Sequence, residues 1–215
     1  MPKETFLNLP PEKREWIENI AIKEFGEYGF DLASVNRIVS GAGIAKGSFY
    51  QYFEDKKDLF VHILNQTMEK KMAYLSPIAF EPHAHDFFTL LRELFLSGLR
   101  FALDNPERAK MGDWLMKNQE HEIFIEMIGE SASVSSNFYL AMLKEAEKKG
   151  EVRKGLDLEY IGAMLTNLSV SLVNYVYGKT GVAFTNDENI MMEHVDAMID
   201  LIKFGLINQG GQSDD

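Results

Sequence analysis

The residue types best suited to chemistry cluster in one short run, Leu32 to Leu59, which reads LASVNRIVSGAGIAKGSFYQYFEDKKDL. From Ser34 to Phe53 the charged residues are Arg37 and Lys46, both cations. Lys56 and Lys57 follow at once, among Glu54, Asp55 and Asp58. Lys46, Gly47, Ser48, Tyr50 and Gln51 supply a cation, hydroxyls and an amide, with a glycine that permits close approach. Tyr52 adds a phenol beside Lys56. Hydroxyls and amides suit base edges and phosphates, and lysine adds charge. This is recognition chemistry. Catalytic signals are weak by comparison. Gly41-Ala42-Gly43 lacks the lysine and the length of a phosphate-cradling loop. Five scattered histidines support no nucleophile–base pair. His83-Ala84-His85-Asp86 has metal-ligand residue types, but no second cluster accompanies it, although His62, His121 or His194 could approach in space. The absence of cysteine removes disulfides, thiol nucleophiles and Cys-ligated metals. The expectation is therefore no enzyme, no cofactor and no metal.

The elements that must carry these residues are helical. No Asn-Gly or Asp-Gly hairpin turn appears, and few segments alternate with period two. Pro10-Pro11 opens a helix ending near Tyr28-Gly29, with Ile17, Ile20, Ala21 and Phe25 on one face. A short second helix fits Ser34 to Ser40, with Ser34 as its cap and Val35, Ile38 and Val39 inward. After Gly41-Ala42-Gly43, a third fits roughly Ala45 to Phe53, anchored by Phe49 and Phe53. A long fourth follows Glu54, with Leu59, Phe60, Ile63 and Leu64 buried. Further helices are expected over Asp86–Leu103, from Asn105-Pro106, over Glu120–Lys149 with a bend near Gly129, over Asp157–Tyr177 and over Asp187–Ile207. A helix as short as the third is marginal alone, so its neighbours must hold it. What such an arrangement gains is an exposed helix able to enter a major groove about 12 Å wide. On pattern alone the run is either that or a helical hairpin with surface tyrosines.

Composition bounds the setting. At 215 residues, with 46% hydrophobic and 26% charged, the chain can form a sizeable core. At roughly 150 residues per domain it holds one or two domains. No stretch approaches a membrane span, and no signal-peptide apolar region follows Met1, so a cytoplasmic location is expected. The net charge of −11 argues against binding nucleic acid over the whole surface. That acidity is uneven: residues 1–70 carry 9 Lys/Arg against 11 Asp/Glu, and residues 71–215 carry 13 against 22. A local footprint on an anionic polymer belongs in the first region.

The run resembles the DNA-binding segment of the TetR (tetracycline-repressor-like) family of bacterial transcription regulators. The matching residues are Ile38, Ala42-Gly43-Ile44, Gly47-Ser48-Phe49-Tyr50, Tyr52-Phe53, Lys56 and Leu59, preceded by Ile20, Ala21, Phe25 and Gly29-Phe30. Val39, Ala45 and Ala33 stand where that family usually has alanine, serine and threonine. Ala45 thereby removes a helix cap. The resemblance implies an all-α chain of about nine helices, with a helix–turn–helix domain over residues 1–56, a ligand-binding and dimerisation domain over 57–210, and a disordered tail over 211–215. It implies that Lys46, Gly47, Ser48, Tyr50 and Gln51 face the groove, that Ser34, Asn36, Arg37, Tyr52 and Lys56 lie near phosphates, and that Ile38, Phe49 and Phe53 are core.

The later residues are rich in Phe and Met, which line adaptable cavities as well as ordinary cores. Polar residues set among apolar ones are the better pocket candidates, because a buried polar group needs a partner. Trp114, Asn118, His121, Tyr139, Asn167, Asn174 and Tyr175 qualify. Two late apolar faces, Ile161, Leu165, Leu168, Leu172 and Val176, and Val195, Met198, Ile199, Ile202 and Leu206, suit an intermolecular four-helix bundle or the monomer core. The leading expectation is a homodimeric regulator, a repressor of operator DNA released by a small hydrophobic or aromatic effector. A same-fold activator, a protein-responsive regulator, and an all-helical carrier or enzyme are the alternatives.

Overall fold

The structure is a computed structural model that describes residues 1–74, 85–128, 132–180 and 188–206. Side chains are described throughout these except at 128, 132–138, 170, 173, 174, 176–180 and 188–191. His83 and the tail 211–215 lie outside the described residues, as do the side chains of Asn174 and Val176. The described residues form eleven helices: α1 (Glu4–Leu7), α2 (Pro11–Leu32), α3 (Val35–Ala42), α4 (Lys46–Tyr52), α5 (Lys56–Met72), α6 (Phe87–Asp104), α7 (Pro106–Lys117), α8 (Glu122–Ile128), α9 (Ala132–Lys149), α10 (Leu158–Thr180) and α11 (Glu188–Leu206). The all-α class is as the sequence implies. The single long helix expected over 120–149 is instead two, α8 and α9. Helix α1 has no counterpart in the sequence reading.

Two compact units divide the chain: Met1–Ala73 with Asp104–Gly129, and Tyr74–Leu103 with Glu130–Asp215. The division differs from a single cut at residue 56, because α5, α7 and α8 belong to the unit that holds α2–α4. Its core explains why. Phe25, Phe49, Phe53, Phe60 and Ile63 are buried together with Met111, Leu115 and Ile123 from α7 and α8. In the second unit Phe87, Leu91, Phe95 and Leu99 of α6 pack with Leu143, Leu165, Leu172, Val195 and Ile199.

Local chemistry sets the helix ends. Pro11 begins α2, where its missing N–H costs nothing. Near the C-terminus of α2, Gly29 adopts φ 67, ψ −178, and a Cβ there would meet Trp114 Cδ1 at 2.7 Å. That backbone region is essentially restricted to glycine, so both conformation and space demand it. Helix α3 ends in a left-handed Gly43: its N–H donates to Ser40 O and the Ile44 N–H donates to Val39 O. These paired bonds satisfy two free carbonyls and turn the chain sharply into α4. At α5, Asp55 accepts from the Asp58 N–H at 2.8 Å, and Asp58 accepts from the Glu54 N–H at 3.0 Å, a reciprocal cap.

Candidate nucleic-acid interface

Helix α4 is two turns long and pins itself by two aromatic side chains. Phe49 and Phe53 are fully buried, with ring centroids 5.7 Å apart. Their burial leaves the opposite face outward: Lys46, Gly47 and Gln51 are exposed, Ser48 is half-buried, and Tyr50 is 46% exposed with its ring edge-on to Phe49. No Cβ-sized obstacle lies within 4 Å of Gly47, so the backbone there is open to close approach. All five groove-facing candidates thus share one short helix. Ala45 makes no side-chain cap bond, as its methyl dictates, and α4 starts at Lys46.

The flanking candidates divide. Asn36 is exposed. Ser34 occupies the cap position of α3, but its hydroxyl does not cap the helix as expected. Its backbone N–H donates to Glu24 Oε1 at 2.7 Å, so a carboxylate from α2 holds the start of α3 at the cap residue's own N–H. The same carboxylate accepts from Arg37 Nε at 2.8 and 3.0 Å, while Arg37 Nη2 donates to Leu32 O at 2.8 Å and the guanidinium lies 4.2 Å from the Tyr28 ring centroid. The hydrogen bond with Glu24 raises the Arg37 pKa further above its ordinary value. Arg37 therefore presents an already oriented cation at the surface. Glu24 gave no sequence signal, since a lone glutamate in a helix reads as surface; only the turn after Leu32 brings α3 over it.

Tyr52 is not the surface phenol the sequence suggested. It is 8% exposed, with its ring 5.8 Å from that of Phe6. Its spacing of three from Phe49 puts both on the buried face of α4. Lys56 is also committed. Its ammonium donates to Phe30 O, Asp31 O and Ala33 O at 2.6, 3.2 and 3.1 Å and lies 4.4 Å from the Phe30 ring centroid. It closes the end of α2 by binding free carbonyls, a role suited to a cation at a helix C-terminus.

The ligand candidates fall in both units. Trp114, Asn118 and His121 sit in the unit of the helix–turn–helix. Trp114 packs on Phe30, Phe60 and His121 at centroid distances of 5.7, 5.4 and 5.2 Å, and Asn118 Nδ2 donates to Trp114 O at 2.7 Å. His121 Nδ1 accepts from the Ile123 N–H at 3.2 Å. Tyr139, Asn167 and Tyr175 are in the second unit. Tyr139 packs against its core, and burial pushes the phenol up to about 12, against a hydrogen bond with Ser169 that acts the other way. Asn167 is exposed, its amide donating to Ala163 O at 3.0 Å, and Tyr175 is 46% exposed. One residue the sequence reading passed over stands out there. Ser97 is 2% exposed on α6, and its hydroxyl has no hydrogen-bond partner among the described residues. A serine within an otherwise apolar helix face was the available signal. Among the described residues no group of three or more metal-ligating side chains comes together, and no helix is long and apolar enough to cross a membrane.

This geometry has known counterparts. The family model for bacterial regulatory proteins of the tetR family matches residues 19–63. An uncharacterized HTH-type transcriptional regulator, YezE of Bacillus subtilis, is 27% identical over 191 residues, covering 85% of this chain and 92% of that protein. An HTH-type transcriptional regulator of Staphylococcus aureus is 31% identical over 94 residues, 44% of this chain and 50% of the relative. The crystal structure of a TetR family transcriptional regulator from Chloroflexus aurantiacus is 28% identical, covers 97% of this chain and 100% of its own, and superposes with a TM-score of 0.81. Residues 19–63 thus carry the helix–turn–helix of the tetR family of bacterial regulatory proteins, and the chain as a whole is similar in sequence and fold to a TetR family transcriptional regulator.

Proposed function

We propose that the protein is a homodimeric repressor that reads operator DNA with α4 and leaves it when a small apolar molecule binds the second unit. The carrying observation is the polar, exposed face of α4, Lys46, Gly47, Tyr50 and Gln51, held on a helix whose other face is fully buried. Ser34, Asn36 and Arg37 flank it as phosphate contacts, with Arg37 oriented in advance by Glu24. Lys56 and Tyr52 serve this site from within, as anchors of α2 and α4.

Pairing is supported by apolar side chains left outside on the last two helices. Tyr160 and Met164 on α10 and Leu201 and Phe204 on α11 are 64, 41, 76 and 76% exposed. Burying such faces against a second copy recovers roughly 25 cal/mol per Å². The effector reading is supported by the Phe- and Leu-rich second core and by the Ser97 hydroxyl, a buried polar group that a ligand with one polar atom would satisfy.

The test is enrichment of duplexes from a random-sequence pool by the purified protein, followed by affinity against salt. An inverted-repeat site is expected, with half-sites about 34–36 Å or a multiple apart. Log affinity should fall with log salt at about −0.9 per neutralised phosphate. No enrichment, or a slope near zero, rejects DNA binding through these cations.

A further inference from the structure

The last four carbonyls of an α-helix have no partner within the helix. In α4 they belong to Phe49, Tyr50, Gln51 and Tyr52, and all four are satisfied. Phe49 O accepts from the Phe53 N–H at 2.8 Å. Tyr50 O accepts from Lys3 Nζ at 3.0 Å, Gln51 O from the Thr5 hydroxyl, and Tyr52 O from the Lys3 N–H at 2.8 Å. Three of the four donors therefore come from one short stretch at the start of the chain, far from α4 in sequence.

That stretch is itself anchored. Helix α1 is a single turn and would not form alone. Phe6 holds it: the side chain is 1% exposed, with ring centroids 4.6 Å from Phe53, 5.8 Å from Tyr52 and 5.9 Å from His62. Arg14 Nη1 donates to Leu7 O at 2.9 Å, and Lys3 Nζ lies 2.9 Å from Glu54 Oε2. The apolar anchor packs on the buried residues Tyr52 and Phe53, and the polar donors meet the carbonyls at the C-terminal end of α4.

We propose that Lys3–Phe6 is a positioning element for the DNA-reading face. It fixes the C-terminal turn of α4 and thereby aims Tyr50 and Gln51. The proposal rests on the DNA-binding reading above. A helix of seven residues has no interior to absorb fraying, so loss of its last turn moves the residues that carry Tyr50 and Gln51 themselves. Lys46 and Ser48, in the first turn, keep their own support: the Ser48 N–H donates to Ala45 O at 2.9 Å. General attraction to phosphates should survive a loosened end. Discrimination between sequences should not.

The experiment uses the full chain, a duplex enriched by the wild type from a random pool, and a scrambled duplex of the same composition. Thr5→Val removes the hydroxyl and keeps the shape; Thr5→Ser restores it. Thr5→Val is expected to lower the preference for the enriched duplex about three- to ten-fold, the worth of one hydrogen bond. Binding to the scrambled duplex should stay the same, and Thr5→Ser should recover the preference. In the free protein, amide hydrogen exchange should quicken over residues 50–54 in Thr5→Val, with α2 and α3 unchanged. An unchanged preference overturns the proposal, as does an equal loss on both duplexes, which marks a loss of folded protein. Should no duplex be enriched, the DNA reading alone fails, and the exchange measurement decides whether Lys3–Phe6 positions α4.

Discussion

Residues Met1–Ala73 with Asp104–Gly129 keep their shape through directional bonds laid over an aromatic core. Glu24 holds Ser34 and Arg37, Lys56 closes α2, Arg108 donates to Thr67 Oγ1 at 2.7 Å, and Lys3 and Thr5 close α4. In the unit of Tyr74–Leu103 with Glu130–Asp215, long helices bury broad apolar faces, and large apolar side chains such as Leu201 and Phe204 remain outside. Hydrophobic burial has no preferred direction. It can hold helices together and adapt to a guest, but it cannot fix a two-turn helix in one orientation. On the proposed function, the unit that reads DNA needs bonds with angles, and the unit that senses and pairs can rely on area.

The comparison is broken most severely at Phe60. This fully buried ring joins Phe25, Phe30 and Trp114, at centroid distances of 4.8, 5.2 and 5.4 Å. Phe60→Ala should destabilise the first unit by about 3–5 kcal/mol, the usual cost of emptying such a site. Chemical denaturation followed by Trp fluorescence measures it, and operator binding should fall with the folded fraction. By the same packing, Trp114→Ala should weaken DNA binding, which would not be expected of a residue that contacts only ligand.

At the pairing face, Phe204→Asp replaces a 76% exposed apolar ring by a charge. If two copies meet there, association should weaken by about 2 kcal/mol or more, as at other central interface aromatics. Sedimentation should then show monomer where the wild type is dimer, with a normal melting temperature. A wild-type monomer at micromolar concentration would remove α11 as a pairing surface.

The reading face gives a smaller, more specific effect. Tyr50→Ala should cost about 1–3 kcal/mol in operator affinity. Because the ring is half outside, the melting curve should barely move. Unchanged affinity in the folded variant takes Tyr50 out of the site.

An inter-helix ion pair of the second unit tests the comparison from the other side. Arg92 donates to both Asp196 oxygens, joining α6 to α11. Hydrogen bonding to Arg92 holds the Asp196 carboxyl below its ordinary value. Its stabilisation is therefore present above the usual carboxylate pKa and is lost as the pH falls through the lowered one. Asp196 is 48% exposed, so solvent screens the pair and Asp196→Asn should cost under about 1 kcal/mol at neutral pH. Stability curves for wild type and variant should converge in acid. A cost of several kcal/mol would mean that the second unit also depends on directional bonds.

What the amino-acid sequence by itself determined is the set of features governed by near neighbours. Pro11 starts a helix because proline fits only the first turn. Gly43 ends α3 because the turn into α4 needs positive φ. Phe49 and Phe53 face inward by spacing, and Lys46, Gly47, Tyr50 and Gln51 are left outside as a consequence. Tertiary structure alone decided which distant groups meet. Glu24 binds the Ser34 N–H and the Arg37 guanidinium, Lys56 turns from the surface to the end of α2, and Tyr52 is covered by Phe6. Trp114 and His121 join the reading unit, not the Tyr139 core. The physical reason is that periodicity reports which face of an element is apolar, while a long-range bond depends on where a second element crosses it. A lone glutamate, a lysine or a phenylalanine at residue 6 carries no local mark of the partner it will find.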